Sequence, residues 1–156
     1  MGDRTTVTLT VLRSQADKAR EIFEHGQNVD IDFELNGVEY VDFTFNGVNY
    51  GDLDRGTKWL TKLIENGIAF DSQWDAGSEY GPGVETARFT EEGGVERKEV
   101  SDSFVNPSLE QLMALIDDHA KLKEYIQNHF VEVTPLSWDN QEEYGKLYRA
   151  RQLITT

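Results

Sequence analysis

Cysteine is absent from this 156-residue chain. Its absence excludes disulfides and thiolate metal sites and suits a reducing compartment, so a cytoplasmic location is expected. No apolar run approaches the roughly 18 residues of a membrane-spanning helix, so no membrane partner is expected. The start, Met1-Gly2-Asp3-Arg4, leads into alternating residues rather than the apolar stretch of a secretory signal. Histidine is scarce, and no H-E-x-x-H occurs among His25, His119 and His129. Ser78 lies in Gly77-Ser78-Glu79-Tyr80-Gly81, which is not a nucleophile elbow. Gly81-Pro82-Gly83 lacks the lysine and the following helix of a phosphate loop. These absences leave no catalytic residue, no cofactor and no metal ligand set to assign.

Bases are missing from long stretches. Between Glu21 and Asp54 stand nine carboxylates and no Lys or Arg, and between Leu63 and Ala87 five more, again without a base. Residues 21–87 carry 14 acids against three bases, out of a chain net charge of −14. Nucleic acid and anionic membranes would be repelled by such a surface, whereas a basic protein would be attracted.

What is present most conspicuously is a repeat. Asp32-Phe33-Glu34-Leu35-Asn36-Gly37-Val38-Glu39-Tyr40 is followed, ten residues on, by Asp42-Phe43-Thr44-Phe45-Asn46-Gly47-Val48-Asn49-Tyr50. Asn-Gly is the preferred centre of a two-residue type I′ turn, because both positions need positive φ. The pattern predicts strands over Asp30–Leu35, Val38–Phe45 and Val48–Gly51. The register carries a conflict. Ile31, Phe33, Leu35, Val38 and Tyr40 fall on one side, while Val41, Phe43 and Phe45 fall on the other, since side chains alternate along a strand. Either a bulge near Glu39–Asp42 restores one apolar face, or both faces are covered. The bulge is the expectation, because an unbulged register sets Glu34 opposite Glu39.

Around this unit the chain reads in order. Thr5–Leu12 alternates as a strand. Ser14 caps a helix that ends at Gly26. A second helix, capped by Asp52 or Asp54, stops at Asn66-Gly67. Ile68–Asp75 places Ile68, Phe70 and Trp74 on one strand face. Gly83–Thr90 and Val95–Ser101 form a hairpin across Glu92-Gly93-Gly94, with Arg88, Glu96, Arg97, Lys98 and Glu99 giving it a solvent-facing side. Asn106-Pro107 opens a long helix to about His129. Phe130–Val133 reads as a short strand ended by Pro135, and Asp139–Leu153 as a last helix. The fold class is therefore α+β in a single domain. It has a mainly antiparallel sheet built on a three-stranded meander at about 30–51, a second hairpin at about 83–101, and four helices packed on the sheet.

Metal chemistry finds no pattern. In a calcium loop begun at Asp32, position twelve is Phe43; begun at Asp42, it is Leu53. Both lack the bidentate Glu. Asp71, Asp75 and Glu79 flank the glycine-rich stretch and carry the acid–base alternative. Tyr40, Tyr50, Trp59, Trp74, Tyr80 and Trp138 are candidates for a ligand surface, with Tyr80 as the candidate aromatic anchor. The partner-binding acids are Asp30, Asp32, Glu34, Glu39, Asp42, Asp52, Asp54, Asp71, Asp75 and Glu79.

The leading reading is a non-enzymatic acidic protein that binds a basic protein or complex. In its most specific form it imitates nucleic acid and inhibits a restriction or CRISPR-type complex, as small acidic inhibitors of mobile elements do. The alternative is an accessory or regulatory interaction domain whose charge serves solubility. A third reading is a small carboxylate-dependent enzyme. Oligomeric state is left open.

Overall fold

The computed structural model describes residues 4–23, 29–49, 58–76, 82–101 and 108–155. Alternation in Thr5–Leu12 produces the central strand β1 (Arg4–Leu12), with Val7, Leu9 and Val11 buried and the threonines between them turned the other way. A 3-10 turn at Arg13–Gln15 leads into α1 (Ala16–Phe23). Strands β2 (Val29–Leu35) and β3 (Val38–Asn49) follow, then α2 (Trp59–Glu65) and β4 (Phe70–Trp74). The hairpin β5 (Gly83–Phe89) and β6 (Val95–Ser101) stands where its glycine turn predicts. Three helices close the chain: α3 (Leu109–Leu115), α4 (His119–Val133) and α5 (Gln141–Thr155). The six strands form one sheet in the order β2-β3-β1-β4-β5-β6, and every pairing is antiparallel. The fold is α+β.

One sheet face, the inner one, carries the core. Phe23 of α1 stands at its centre, edge-on to Phe43 at 5.2 Å, Phe45 at 5.3 Å and Trp59 of α2 at 5.5 Å between ring centroids. Such edge contacts add about 0.5–1.5 kcal/mol per pair beyond burial. Leu60, Leu63, Ile68, Phe70 and Phe89 complete this layer. Helix α5 docks on it through Tyr148, whose ring lies 5.1 Å from Phe89. Close approach there requires glycine twice: a Cβ on Gly145 would collide with the Gly67 carbonyl, and Gly67 itself holds φ at +69° after the α2 stop.

The two Asn-Gly pairs meet different fates. Asn36 (φ 53°) and Gly37 (φ 81°) make the type I′ turn between β2 and β3. Asn46 does not take positive φ. The chain runs straight through it because β1 supplies a partner, pairing Thr5 with Val48 and Val7 with Phe45. One β1 residue there faces two of β3, so the second Asn-Gly sits in a bulge rather than a turn. The three-stranded antiparallel unit is thus β2-β3-β1, and Val48–Asn49 continue β3.

The bulge expected near Glu39–Asp42 is not there. Register is unbroken from Leu35↔Val38 to Val29↔Thr44, and Glu34 does face Glu39. Both sheet faces are used instead. Over the outer face, beyond the end of α4, runs the segment 134–140. Lys98 Nζ anchors its start and the end of α4, donating to the Thr134 carbonyl at 2.8 Å and to the Val131 carbonyl at 2.7 Å. The long helix expected from Asn106 is two helices, because Asp118 caps a fresh start by accepting from the Lys121 amide at 3.2 Å. Phe130–Val133, expected as a strand, forms the last turn of α4.

Candidate functional site

Antiparallel register places whole rows of side chains across the outer face. One row spans all six strands: Ile31, Asp42, Thr10, Asp71, Thr86 and Lys98, each opposite its neighbour. Two carboxylates thus flank one threonine on strands β3, β1 and β4. The Thr10 hydroxyl donates to Asp42 Oδ1. Asp71 Oδ1 accepts from Arg88 Nη2 at 2.7 Å.

Arg88 was expected on a solvent-facing hairpin side, yet it is only 2% exposed. Four contacts hold it. Its Nε donates to the Leu136 carbonyl at 3.0 Å, its Nη1 donates to the Phe70 and Ala87 carbonyls at 2.9 and 3.1 Å, and its Nη2 takes Asp71. The Trp138 ring lies over the guanidinium at 3.7 Å. Trp138 in turn meets Tyr40 edge-on at 5.4 Å, and Tyr40 stacks on Phe33 at 5.2 Å. An aromatic wall therefore crosses the sheet from edge strand β2 to the segment over Arg88.

Between this wall and the carboxylate row lies a groove of about 270 Å³. Thr8, Thr10 and Gln73 form its floor, Asp42 and Asp71 its acidic side, and Phe33, Leu35, Tyr40 and Trp138 its apolar side. Burial raises the Asp71 pKa; Arg88 beside it opposes that rise, and Asp42 adds to it. Burial likewise raises the Tyr40 phenol. Arg88 lines no part of the groove, its donors being directed to the protein. The groove is lined by two acids, two threonines, one side-chain amide, one tyrosine and otherwise apolar side chains. That surface suits a cation on an apolar stem.

A broader hollow of about 540 Å³ lies by the β5–β6 turn, among Glu91, Glu92, Glu96 and Asp139. Glu91, Glu92 and Asp139 are exposed, so water screens their pull on a cation. Beside it the buried Gln141 side chain pairs with the Phe89 peptide in both directions, accepting from its N–H at 2.6 Å and donating to its carbonyl at 3.0 Å.

The acids expected to form one row are divided between faces. Asp30, Asp32, Glu34 and Glu39 belong to the inner side of the β2 edge, opposite Phe43, Val41 and each other; Asp42 and Asp71 belong to the outer side. Asp30 accepts from Arg20 Nη2 at 2.6 Å, and Asp32 stands 3.3 Å from Arg13. No cation among the described residues lies within ion-pair distance of Glu34 or Glu39. Asp75 is exposed, and its backbone is tied to β1 through the Thr5 hydroxyl and the Thr6 carbonyl. Asp52, Asp54, Tyr50, Glu79 and Tyr80 lie outside the described residues. Trp74 belongs to the core and Trp59 packs against it; Trp138 also packs against it and, with Tyr40, lines the groove. Arg88, Thr10 and Gln141 carried no sequence signal, because their partners are distant in the chain. Among the described residues, no group of three His, Cys, Asp or Glu is placed to hold a metal ion, and no helix is long and apolar enough to cross a membrane.

Compared with protein-family models, with curated proteins and with solved structures, the chain matches none.

Proposed function

We propose that the protein is a non-enzymatic acidic binding protein that receives a cationic side chain of a basic protein in the outer groove. The observation that carries this reading is the pairing of Asp42 and Asp71 with an aromatic wall of Phe33, Tyr40 and Trp138 around one groove. A lysine or arginine entering it lays its methylene stem along Phe33 and Leu35 and brings its charge to Asp42. The remaining acids of this −14 chain attract such a partner from a distance and speed encounter.

The nucleic-acid-imitating form of this reading, an inhibitor seated in a restriction or CRISPR-type complex, asks for a row of unpaired carboxylates. Arg13 and Arg20 neutralise two of the four on the β2 edge. The geometry therefore favours a groove-centred contact over a charge row.

Affinity capture from lysate, washed at low and high salt, tests the proposal with four baits: the native chain, Asp42→Asn, Phe33→Ala, and Glu34→Gln with Glu39→Gln. A basic protein held by the native chain, released by salt and lost from Asp42→Asn and from Phe33→Ala is the expected result. Retention indifferent to both substitutions, or no basic protein retained, would overturn it. Loss only with Glu34→Gln and Glu39→Gln would move the contact to the β2 edge.

A further inference from the structure

The helices α3 and α4 stand apart from the core. Among the described side chains neither contributes a buried residue, and they pack chiefly on each other. On α3, Leu109 is 79% exposed and Met113 67%, and Ile116 just beyond its end is 54% exposed. Their spacing of four and three places them on one narrow stripe. On α4, Ile126 is 51% and Phe130 64% exposed, again four apart on one face. Beside Ile126 lies a dent of about 220 Å³, lined by His119, Leu122, Lys123, Ile126 and Gln127. One hairpin thus offers both a ridge of knobs and a hole to take one.

We infer that this hairpin is the contact surface for a second copy of the same chain, pairing about a two-fold axis so that α3 of each copy lies against α4 of the other. Three observations select this occupant. First, ridge and hole occur on the same hairpin, so each copy can give what the other receives, as an isologous interface requires. Second, the charges are complementary across such an axis. Residues 108–118 hold Glu110, Asp117 and Asp118 and no base, while the first half of α4 holds Lys121 and Lys123 against Glu124; its other acid, Glu132, stands in the last turn, and Lys121 lies 3.9 Å from Asp118 of its own chain. Glu110, Lys121 and Lys123 are all exposed. Third, the area is sufficient. At roughly 200 Å² for a large apolar residue, the five stripe residues leave about 600 Å² in water per copy. Two copies then bury about 1,200 Å², where specific stable interfaces begin. This inference stands independently of the groove on the sheet.

The experiment is sedimentation velocity of the full chain at roughly 1–100 µM, with four variants. Met113→Glu and Phe130→Glu place a charge on each stripe. Glu110→Lys replaces the one acid of α3 by a base, so that it meets Lys121 and Lys123 of the other copy, and Lys121→Glu with Lys123→Glu sets new acids on α4 against Glu110. All altered side chains are exposed, and circular dichroism verifies folding of each variant. A dimer is expected for the native chain, with at least tenfold weaker association for each variant alone. Mixing the two charge variants should restore dimers, because the base placed on α3 of one copy then faces the acids placed on α4 of the other, and Glu110 of the second copy again faces Lys121 and Lys123 of the first. A native chain that stays monomeric throughout overturns the inference and leaves the hairpin to a different protein or a lipid surface. So does a dimer that survives Met113→Glu and Phe130→Glu, or charge variants that fail to recover on mixing.

Discussion

Replacing Arg88 by methionine removes a buried cation and keeps most of its volume. The consequence follows from what is left behind. Asp71 remains, with 22% of its side chain exposed and no partner for its charge. The Leu136 carbonyl loses its donor, and Trp138 loses the cation under its ring. Breaking a buried pair from one side typically costs about 3–5 kcal/mol. The partial exposure of Asp71 puts Arg88→Met at the lower end, about 3 kcal/mol, measured by urea unfolding at pH 7. The pH dependence has a definite sign. Burial already holds the Asp71 pKa above its ordinary value, and Arg88 is what opposes the rise. Without Arg88 the folded-state pKa climbs further. The folded variant then binds a proton that the unfolded chain does not, between the ordinary carboxylate value and the raised one. Its stability therefore falls as pH rises through that window, and the deficit relative to native narrows from pH 8 towards pH 5. Adding Asp71→Leu removes the orphaned charge, and the double variant should regain about 2 kcal/mol over Arg88→Met. A single-variant cost below about 1 kcal/mol, or a double variant no more stable than the single, would refute the reasoning.

Three smaller predictions rest on local geometry. Gly145→Ala gains about 1 kcal/mol of helix propensity, yet its methyl group meets the Gly67 carbonyl, so a net loss and a lower Tm are expected. Gln141→Leu removes both bonds to the buried Phe89 peptide and should cost about 2 kcal/mol in chemical denaturation; Gln141→Glu, which keeps the acceptor but not the donor, should cost a comparable amount. Gly37→Ala meets no neighbour, so its expected cost of about 1 kcal/mol comes from backbone strain at φ 81° alone, and native-state hydrogen exchange should show it spread over the β2–β3 hairpin.

Local pattern made much of this fold legible. Alternation marked β1, the glycine turn marked the β5–β6 hairpin, and Asn66-Gly67 marked the end of α2. The clash of apolar sets on either side of β3 was legible too, and it meant what it said: both faces are occupied. Which remedy nature used was not legible, because the cover over Tyr40 comes from Trp138, almost a hundred residues away. Arg88 misled for the same reason. A charged residue on an irregular hairpin reads as solvated until Asp71 and Trp138 close on it. The second Asn-Gly has the same local chemistry as the first, and only pairing with β1 decides that it continues. At the site, Asp42 and Asp71 were among the acids selected by charge, but their separation from the β2 acids required the register. The helix break at Asp118 did have a signal, an aspartate able to cap, without the glycine or proline that usually announces a stop.

The strand order has a consequence in time. β1 is made first, yet it lies third in the sheet, between partners made later. By the time Asn49 is available the chain can assemble β2, β3, β1 and α1 as a unit. The other half has no such self-sufficiency. Phe89 on β5 is covered by α5, whose last residue comes more than fifty positions after β6. At a synthesis rate of about 5–20 residues per second, the ribosome takes roughly 3–11 s to supply that cover. Through that interval the growing chain presents an open apolar sheet face to the cell, so a stalled or truncated product ending before Gln141 is the species that chaperones and proteases would meet.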